Sequence, residues 1–584
     1  MSRFSASKRL SLSPGIGHRA DPWPWLMLTA AIIASAVIGA MIVGIFWMSF
    51  RQGQPGQPGG IYSLANYATV LGDPRAWPAI VNTFEFAFTA LGVALVCGLP
   101  MAWLAERTDF RGRNALFTLM TMGVLVPGFA ASMGWLFLLH PRIGIVNAWL
   151  KLLFGPDMPP IDITTIWGMG FIEGISLSPV AFIMSASVFR AMDPALEDAA
   201  QMSGANFRQT LWRITLRVAF PGILAAAIYI FTIAFAAFDI PAVIGWASRR
   251  LTFSTLLLLL LSGEDSLPRY GASAAISTLA LVLAVGLSFW YAAVQRQSHR
   301  YEIVTGKAYR PHRVELGRAS AFAWAGVGTY FTLGFVMPSI TLIWASFMPF
   351  FRAPSAAAFA AMSLQHYRAL PWDLVSEGMK NTGILMLLTP TVALLLSIAF
   401  SWVVLRSRFP GRQWFDVFAF LPHAIPSVIF GMGALLAALY VVDKVVPIYG
   451  TIWILLLVFT IARLSYGTRV TNGGMIQIHR ELGEAATVSG ANTGGILRRI
   501  VLPLLAPTLL YAWLWIALLT FRELTLAAFL TTRGNLTLPV VIWSMWQGGT
   551  SGPAAALSVL LLLLMTPVIA LYWYIGRRRV AGLN

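Results

Sequence analysis

The chain has 584 residues, of which 58% are apolar and 11% charged, with a mean hydropathy of +0.72. A soluble domain carries roughly 25% charged residues, so this composition excludes one and predicts an all-α integral membrane protein. The net charge of +18 does not mark a nucleic-acid binder, because the basic residues fall in short connections between apolar stretches. Cys97 is the single cysteine and the seven histidines are scattered, which excludes a disulfide framework and argues against a thiolate or histidine metal site.

Residues 1–24 form a basic, Ser-rich tail and not a secretory signal, because the apolar run Trp25 to Met48 is too long for one. A membrane span needs about 20 apolar residues. About twelve spans meet that measure: 25–48, 83–105, 116–139, 163–189, 219–243, 273–295, 321–348, 382–405, 415–440, 451–470, 504–530 and 553–576. Glu173, Arg463 and Arg469 interrupt the fourth and tenth. The connections alternate in character. One set holds Arg3, Lys8 and Arg9, Arg107 to Arg113, the stretch from Asp193, Arg296 to Arg318, Arg406 to Arg412, the stretch around Glu484, and Arg577 to Arg579. Roughly 26 of the 41 Lys and Arg lie in this set and roughly 12 in the other, which predicts that the first set and both termini are cytoplasmic. Trp77, Trp149 and Trp372 on the other side suit an interfacial belt.

The two halves answer each other. Asn82-Thr83 matches Asn381-Thr382, Arg107 to Arg113 matches Arg406 to Arg412, and Pro127 matches Pro426. The spacing then shortens before Thr165-Ile166-Trp167 meets Thr451-Ile452-Trp453, so the first half has a longer outer connection within His140 to Asp162. The predicted organisation is a tail (1–24), a six-span repeat (25–295), a basic cytoplasmic linker (296–320), a second repeat (321–576) and a tail (577–584). Two six-helix repeats in the same orientation place a pseudo-two-fold axis along the membrane normal, with a pathway along it.

The most polar interruptions are also paired. Asp193 to Arg217 reads DPALEDAAQMSGANFRQTLWRITLR, and His479 to Pro503 reads HRELGEAATVSGANTGGILRRIVLP. Asp198-Ala199-Ala200 falls on Glu484-Ala485-Ala486, and Gly204 on Gly490. In the first copy Asp193 suits an N-cap, Pro194 the first helical position, and Glu197 and Asp198 the positive end of the helix dipole. Each copy thus predicts a short helix with small side chains, a glycine stop, and a second basic helix entering the membrane.

Glu484-Ala485-Ala486, three residues, Gly490, nine residues and then Ile500-Val501-Leu502-Pro503 resembles the "EAA" loop of permease subunits of binding-protein-dependent ABC importers. The resemblance extends over about residues 80–295 and 380–576. Both permease domains in one chain look most like ferric-iron importers, and permeases for thiamine or 2-aminoethylphosphonate look similar too. It implies an inner-membrane permease whose short helices couple it to two cytoplasmic ATPase subunits, with a periplasmic binding protein delivering the cargo. The implied coupling residues are Asp198, Ala199, Ala200, Gly204, Glu484, Ala485, Ala486, Gly490 and Pro503. The first copy departs in two places, Asp198 for Glu and Arg217 for Pro, and loss of that proline predicts loss of a kink. The chain has no P-loop, since Gly306-Lys307-Ala308 lacks the upstream glycine and the following Ser/Thr. It is therefore read as no enzyme, binding no cofactor or metal itself, with ATP and Mg used by the partner ATPase.

Charges within spans cost roughly 2.5–3.5 kcal/mol on the insertion scale and are functional candidates. Asp239 and Arg522-Glu523 occupy corresponding places late in the fifth span of each repeat, where a pathway could run; an interfacial charge near a helix end, or a local Arg522–Glu523 pair, is the plainer explanation. Pro127 and Pro426 could break helices along that pathway. The competing function is a twelve-helix secondary transporter of the major-facilitator type. It is disfavoured because both fourth-to-fifth connections are long and carry the Glu/Asp-Ala-Ala-Gly pattern.

Overall fold

In the computed structural model, residues 21–53, 60–193, 195–263, 267–298 and 313–581 are described. Most of the N-terminal tail, Pro194, much of the basic linker with Gly306-Lys307, and the last three residues lie outside this set. The described chain is all-helical, with 11 helices long and apolar enough to cross a membrane, or 12 counting one bent pair.

The first repeat contains α1 (Pro22–Phe50), α2 (Ala76–Arg107), α3 (Arg113–Gly123), α4 (Gly128–Leu139) and α5 (Ile166–Ala191). It continues with α6 (Ala195–Met202), α7 (Phe207–Phe235), α8 (Phe253–Ser262) and α9 (Tyr270–Ser298). The second contains α10 (Ala319–Phe347), α11 (Trp372–Leu405), α12 (Arg412–Ala424), α13 (Ser427–Val445) and α14 (Ile452–Gln477). It ends with α15 (Arg480–Val488), α16 (Thr493–Phe521), α17 (Leu538–Gln547) and α18 (Ser551–Ala581).

Four expected spans are not single rods. The third is broken between α3 and α4, which meet at 98°. Its counterpart breaks at Ile425-Pro426, between α12 and α13. Proline lacks an N–H and disfavours helix at the preceding residue, so each break falls at Pro127 or Pro426. The fifth and eleventh spans stop at Phe235 and Phe521, short of the expected 243 and 530, and the chain turns into the shorter helices α8 and α17. Conversely, α5 and α14 run unbroken through Glu173, Arg463 and Arg469.

The matched Asn-Thr pairs explain how α8 and α17 are seated. Asn82 donates to the Leu251 carbonyl (2.9 Å), and Thr83 accepts from the Phe253 N–H (2.7 Å) that opens α8. Asn381 donates to Leu536 (2.9 Å), and Thr382 accepts from the Leu538 N–H (2.8 Å) that opens α17. Both satisfy backbone groups that a bilayer would leave bare.

Packing relies on small residues, because lipid offers no hydrophobic drive between helices. Gly170, Gly174 and Ser178 form one stripe of α5, and Cβ atoms at the two glycines would meet the α2 backbone at Phe86 and Ala90 at 2.9 and 2.7 Å. In the second repeat the corresponding pair, α11 and α14, is joined by a Ser401–Thr471 hydrogen bond of 2.5 Å. The first helix of each repeat also crosses to the other one. α1 packs on α11 and α13, and α10 packs on α4. In the longer connection of the first repeat, a short helix (Ile145–Phe154) is pinned by the buried Asn147, which donates to His140 and Ile161 carbonyls and accepts from the Ile161 N–H.

Candidate coupling loops and translocation pathway

The two polar loops fold alike at one end of the bundle. α6 and α15 carry the matched acidic and alanine residues, and every side chain of both helices is at least partly exposed. Each ends in the same hydrogen-bonded turn. Gly204 N–H donates to Gln201 O and Ala205 N–H to Ala200 O, as Gly490 donates to Thr487 O and Ala491 to Ala486 O. Gly204 and Gly490 adopt φ of +84° and +85° with open space around them, so glycine is there for its backbone conformation. Asn206 and Asn492 then cap α7 and α16, accepting from Gln209 N–H (2.9 Å) and Gly495 N–H (2.8 Å).

Apolar side chains that the alanine pattern does not announce stand on the same two helices. Met202 and Val488 are each 90% exposed, and Leu196 and Leu482 are 46% and 49% exposed. Each pair is related by the offset that matches Gly204 with Gly490. Two equivalent surfaces therefore present the same arrangement of small residues flanked by bare apolar tips. The signal was in the sequence as matched Leu and Met/Val positions, hidden among polar neighbours.

The arginines that close α2 and α11 hold these loops in place. Arg107 donates to the Met192 carbonyl (3.1 Å) at the end of α5, and Arg406 donates to the Ile478 (2.8 Å) and Met475 (3.2 Å) carbonyls at the end of α14. Met192 and Ile478 are equivalent positions, so both loops share one anchor. In the first loop Glu197 adds a tie that Gly483 cannot match. It lies 3.6 Å from Arg107 and accepts from Thr215 at 2.6 Å. The second loop has its own tie, since Asp21 accepts from the Thr493 N–H (2.7 Å). Hydrogen bonds to charged groups contribute about 1.5–3 kcal/mol each. Replacing Arg406 with Met is therefore expected to speed amide hydrogen exchange in α15 by at least tenfold while leaving exchange in α11 and α14 unchanged.

The missing proline at Arg217 does not straighten the first copy. A π-helical turn precedes the membrane helix in both, at Leu211–Thr215 and at Leu497–Val501, and Pro503 follows only the second. The irregularity thus comes from a feature common to both copies, and each of the two helices also carries an internal proline, Pro221 or Pro507.

Further into the bundle, four helix breaks converge. Pro127 caps α4 and Pro426 caps α13, while the chain leaves α7 through Ala236 to Ile240 and α16 through Arg522 to Leu524. Asp239 and Thr525 are equivalent by the loop offset, and they touch, Thr525 donating to the Asp239 carboxylate at 3.3 Å. Contact between equivalent residues places this point on the pseudo-two-fold axis. A Cβ at Gly128 would stand 2.8 Å from Asp239, so the break at Pro127 also makes room for that carboxylate. Arg522 crosses between repeats to donate to the Val126 carbonyl (2.7 Å). The expected local pair is not formed. Glu523 instead binds Arg463 of α14 and accepts from the Leu526 N–H.

Beside these breaks lies a cavity of about 880 Å³ between the repeats. Tyr229 of α7 and Tyr291 of α9 face it from one side; His423, Pro426, Arg463 and Glu523 face it from the other. Of the four residues singled out for a pathway, Pro426 and Glu523 line this cavity; Asp239 and Pro127 stand at the helix breaks beside it. His423 lies over Tyr229 with ring centroids 5.6 Å apart. Among the described residues, no group of three or more His, Cys, Asp or Glu is placed to hold a metal ion.

Comparison with known proteins gives this duplicated architecture a family. The family described as binding-protein-dependent transport system inner membrane component matches twice, over residues 94–300 and 393–580. A ferric transport system permease protein of Actinobacillus pleuropneumoniae is 23% identical over 552 residues, covering 92% of this chain and 76% of that one. A probable ABC transporter permease protein of Sinorhizobium fredii is 24% identical over 537 residues, covering 89% and 90%. A putative 2-aminoethylphosphonate transport system permease protein of Salmonella choleraesuis is 29% identical over 184 residues, covering 30% and 68%. With one family domain in each repeat, the chain belongs to the inner-membrane permease components of binding-protein-dependent ABC transport systems.

Proposed function

We propose that this chain supplies both halves of the translocation pathway of an ABC importer and that ferric iron is its cargo. The observation that carries the coupling role is the matched build of the two exposed loops, each ending in a left-handed glycine and each held by an equivalent arginine. Two cytoplasmic ATPase subunits dock there, one against α6 and one against α15. Asp198, Ala199, Ala200, Glu484, Ala485 and Ala486 form the close-contact faces, Gly204 and Gly490 the exits, and Pro503 the entry to the membrane helix. Both termini then lie in the cytoplasm, and a periplasmic binding protein delivers cargo to the opposite face. ATP and Mg bind to the partner subunits, and closure of the ATPase pair draws α6 and α15 together. That movement rocks the repeats and shifts the population between inward- and outward-open states. Asp239, Glu523, Pro127 and Pro426 sit where the passing cargo and the moving breaks meet.

Iron is favoured by the ferric permease that aligns with most of the chain; the shorter match names 2-aminoethylphosphonate. The test is uptake of radioactive iron into liposomes holding the chain, its ATPase and an iron-loaded binding protein. Uptake requiring all three components and ATP is the expected result. ATP hydrolysis stimulated by a binding protein loaded with another solute, without iron uptake, would keep the importer and discard iron. Gradient-driven uptake by the chain alone would overturn both.

A further inference from the structure

We propose that the cavity between the repeats is a binding site for an oxyanion. The cargo then passes as a phosphonate- or phosphate-like solute, or as ferric iron enclosed in an anionic oxygen chelate. The proposal rests on the importer reading and narrows its cargo.

Among the described residues, the charged side chains lining the cavity are Arg463, Arg469, Arg522 and Glu523. The one carboxylate is already committed on both oxygens, to Arg463 and to the Leu526 N–H. The guanidinium groups are less fully occupied. Arg522 uses Nη1 for the Val126 carbonyl, and among the described residues no carboxylate comes within 4.0 Å of it. Asp239, Glu523 and Glu173 exert their fields on it from farther away, and of these only Glu523, already engaged by Arg463, lines the cavity. Arg469 lies over the Phe420 ring and is 3.9 Å from Asp416, with 57% of its side chain exposed. Arg463 keeps a buried Nε with no partner.

An arginine within a span is costly, and an incompletely paired one on a cavity wall marks the place where a passing anion would complete its hydrogen bonds. The planar guanidinium fork matches the oxygen geometry of phosphonate and carboxylate groups, which a compact ammonium does not. The Ser427 hydroxyl lines the cavity on the side of Pro426 and His423, whereas those of Thr232 and Ser288, on α7 and α9 across from it, already donate to the Ile228 and Ala284 carbonyls. A bare trivalent cation would instead face three positive charges and a single engaged carboxylate.

The test measures equilibrium binding to the purified full chain in lipid nanodiscs, without ATPase or binding protein. The probes are radiolabelled 2-aminoethylphosphonate, ferric citrate and thiamine, the last a cation. Saturable binding of either anionic probe, displaced by inorganic phosphate or citrate, is expected, with no saturable binding of thiamine. Binding of 2-aminoethylphosphonate alone identifies a free oxyanion as cargo, and binding of ferric citrate alone identifies a chelate. Arg522→Gln is expected to weaken anion binding by at least about tenfold, with partial recovery in Arg522→Lys. Arg522 also joins the repeats, so Arg469→Gln provides a second variant that leaves every cross-repeat hydrogen bond in place, with a similar loss expected. Saturable thiamine binding, absence of any saturable anion binding, or anion binding unchanged in both glutamine variants would overturn the proposal. None of these outcomes depends on ATPase association, whose failure would count against the importer reading instead.

Discussion

Replacing Met202 and Val488 together with Glu is expected to abolish ATPase co-purification and ATP-driven uptake while the membrane bundle stays folded. Both side chains are 90% exposed and precede the turns at Gly204 and Gly490, so neither stabilises the isolated chain. An apolar tip seated in a partner's pocket is the kind of anchor whose loss costs 2 kcal/mol or more, on the order of thirtyfold in affinity. Glutamate adds the desolvation of a charge with no partner. Two equivalent sites in one assembly multiply, so the double variant is expected to lose about a thousandfold or more in association. Size-exclusion profile and helical circular dichroism should match the parent. The single variants carry separate information. The first loop has the extra Glu197 tie to Arg107 and Thr215, and the second is held by Asp21. Unequal losses would mean that the two ATPase contacts differ in strength. Undiminished co-purification of the double variant would remove α6 and α15 from the docking surface.

Gly134→Val is expected to prevent assembly of the bundle, with loss of detergent-stable protein and not merely of transport. Gly134 lies on α4 where α10 of the other repeat crosses it, and a Cβ there would fall on the Pro338 carbonyl oxygen and 2.8 Å from its carbon. Backbone cannot move aside as a flexible side chain can. The helices must therefore separate, which forfeits close packing along the crossing and costs about 3 kcal/mol or more when overpacking is this direct. Gly328→Val on α10 is the control. No atom outside its own helix neighbours lies within 4 Å of the added Cβ. Its yield and thermal midpoint in detergent should remain near the parent's. Equal stability of the two variants would mean that the α4–α10 crossing is looser than this geometry requires.

These two cases separate what was legible in the chain from what was not. The loops could be read because their signals are local: an acid before two alanines, a glycine where the helix must turn left-handed, and an asparagine that caps the next helix. Repetition of all three at one spacing turned weak signals into a strong one. The apolar tips Leu196, Met202, Leu482 and Val488 were as visible in the letters, but exposure is not a property of a sequence, and an isolated Leu or Met is more often buried. The central charges were found for a different reason, since any charge inside an apolar span is conspicuous. Their partners were misjudged. Neighbouring Arg522 and Glu523 invite a local pair, yet at a helix break adjacent side chains diverge, and each found a partner far along the chain.

By itself the sequence determined that the protein is a helical membrane protein, duplicated, with two equivalent polar loops. Hydropathy, helix caps and residue spacing act over a turn or a span, and a repeat can be read directly. Only the tertiary structure decided that Asp239 meets its own counterpart Thr525 and that Arg522 bridges the repeats beside a cavity with three arginines on its walls. It also decided that the first helix of each repeat belongs in space to the other. These are contacts between residues hundreds of positions apart. They depend on where prolines interrupt helices and how closely small residues let helices approach, and no local pattern records the result.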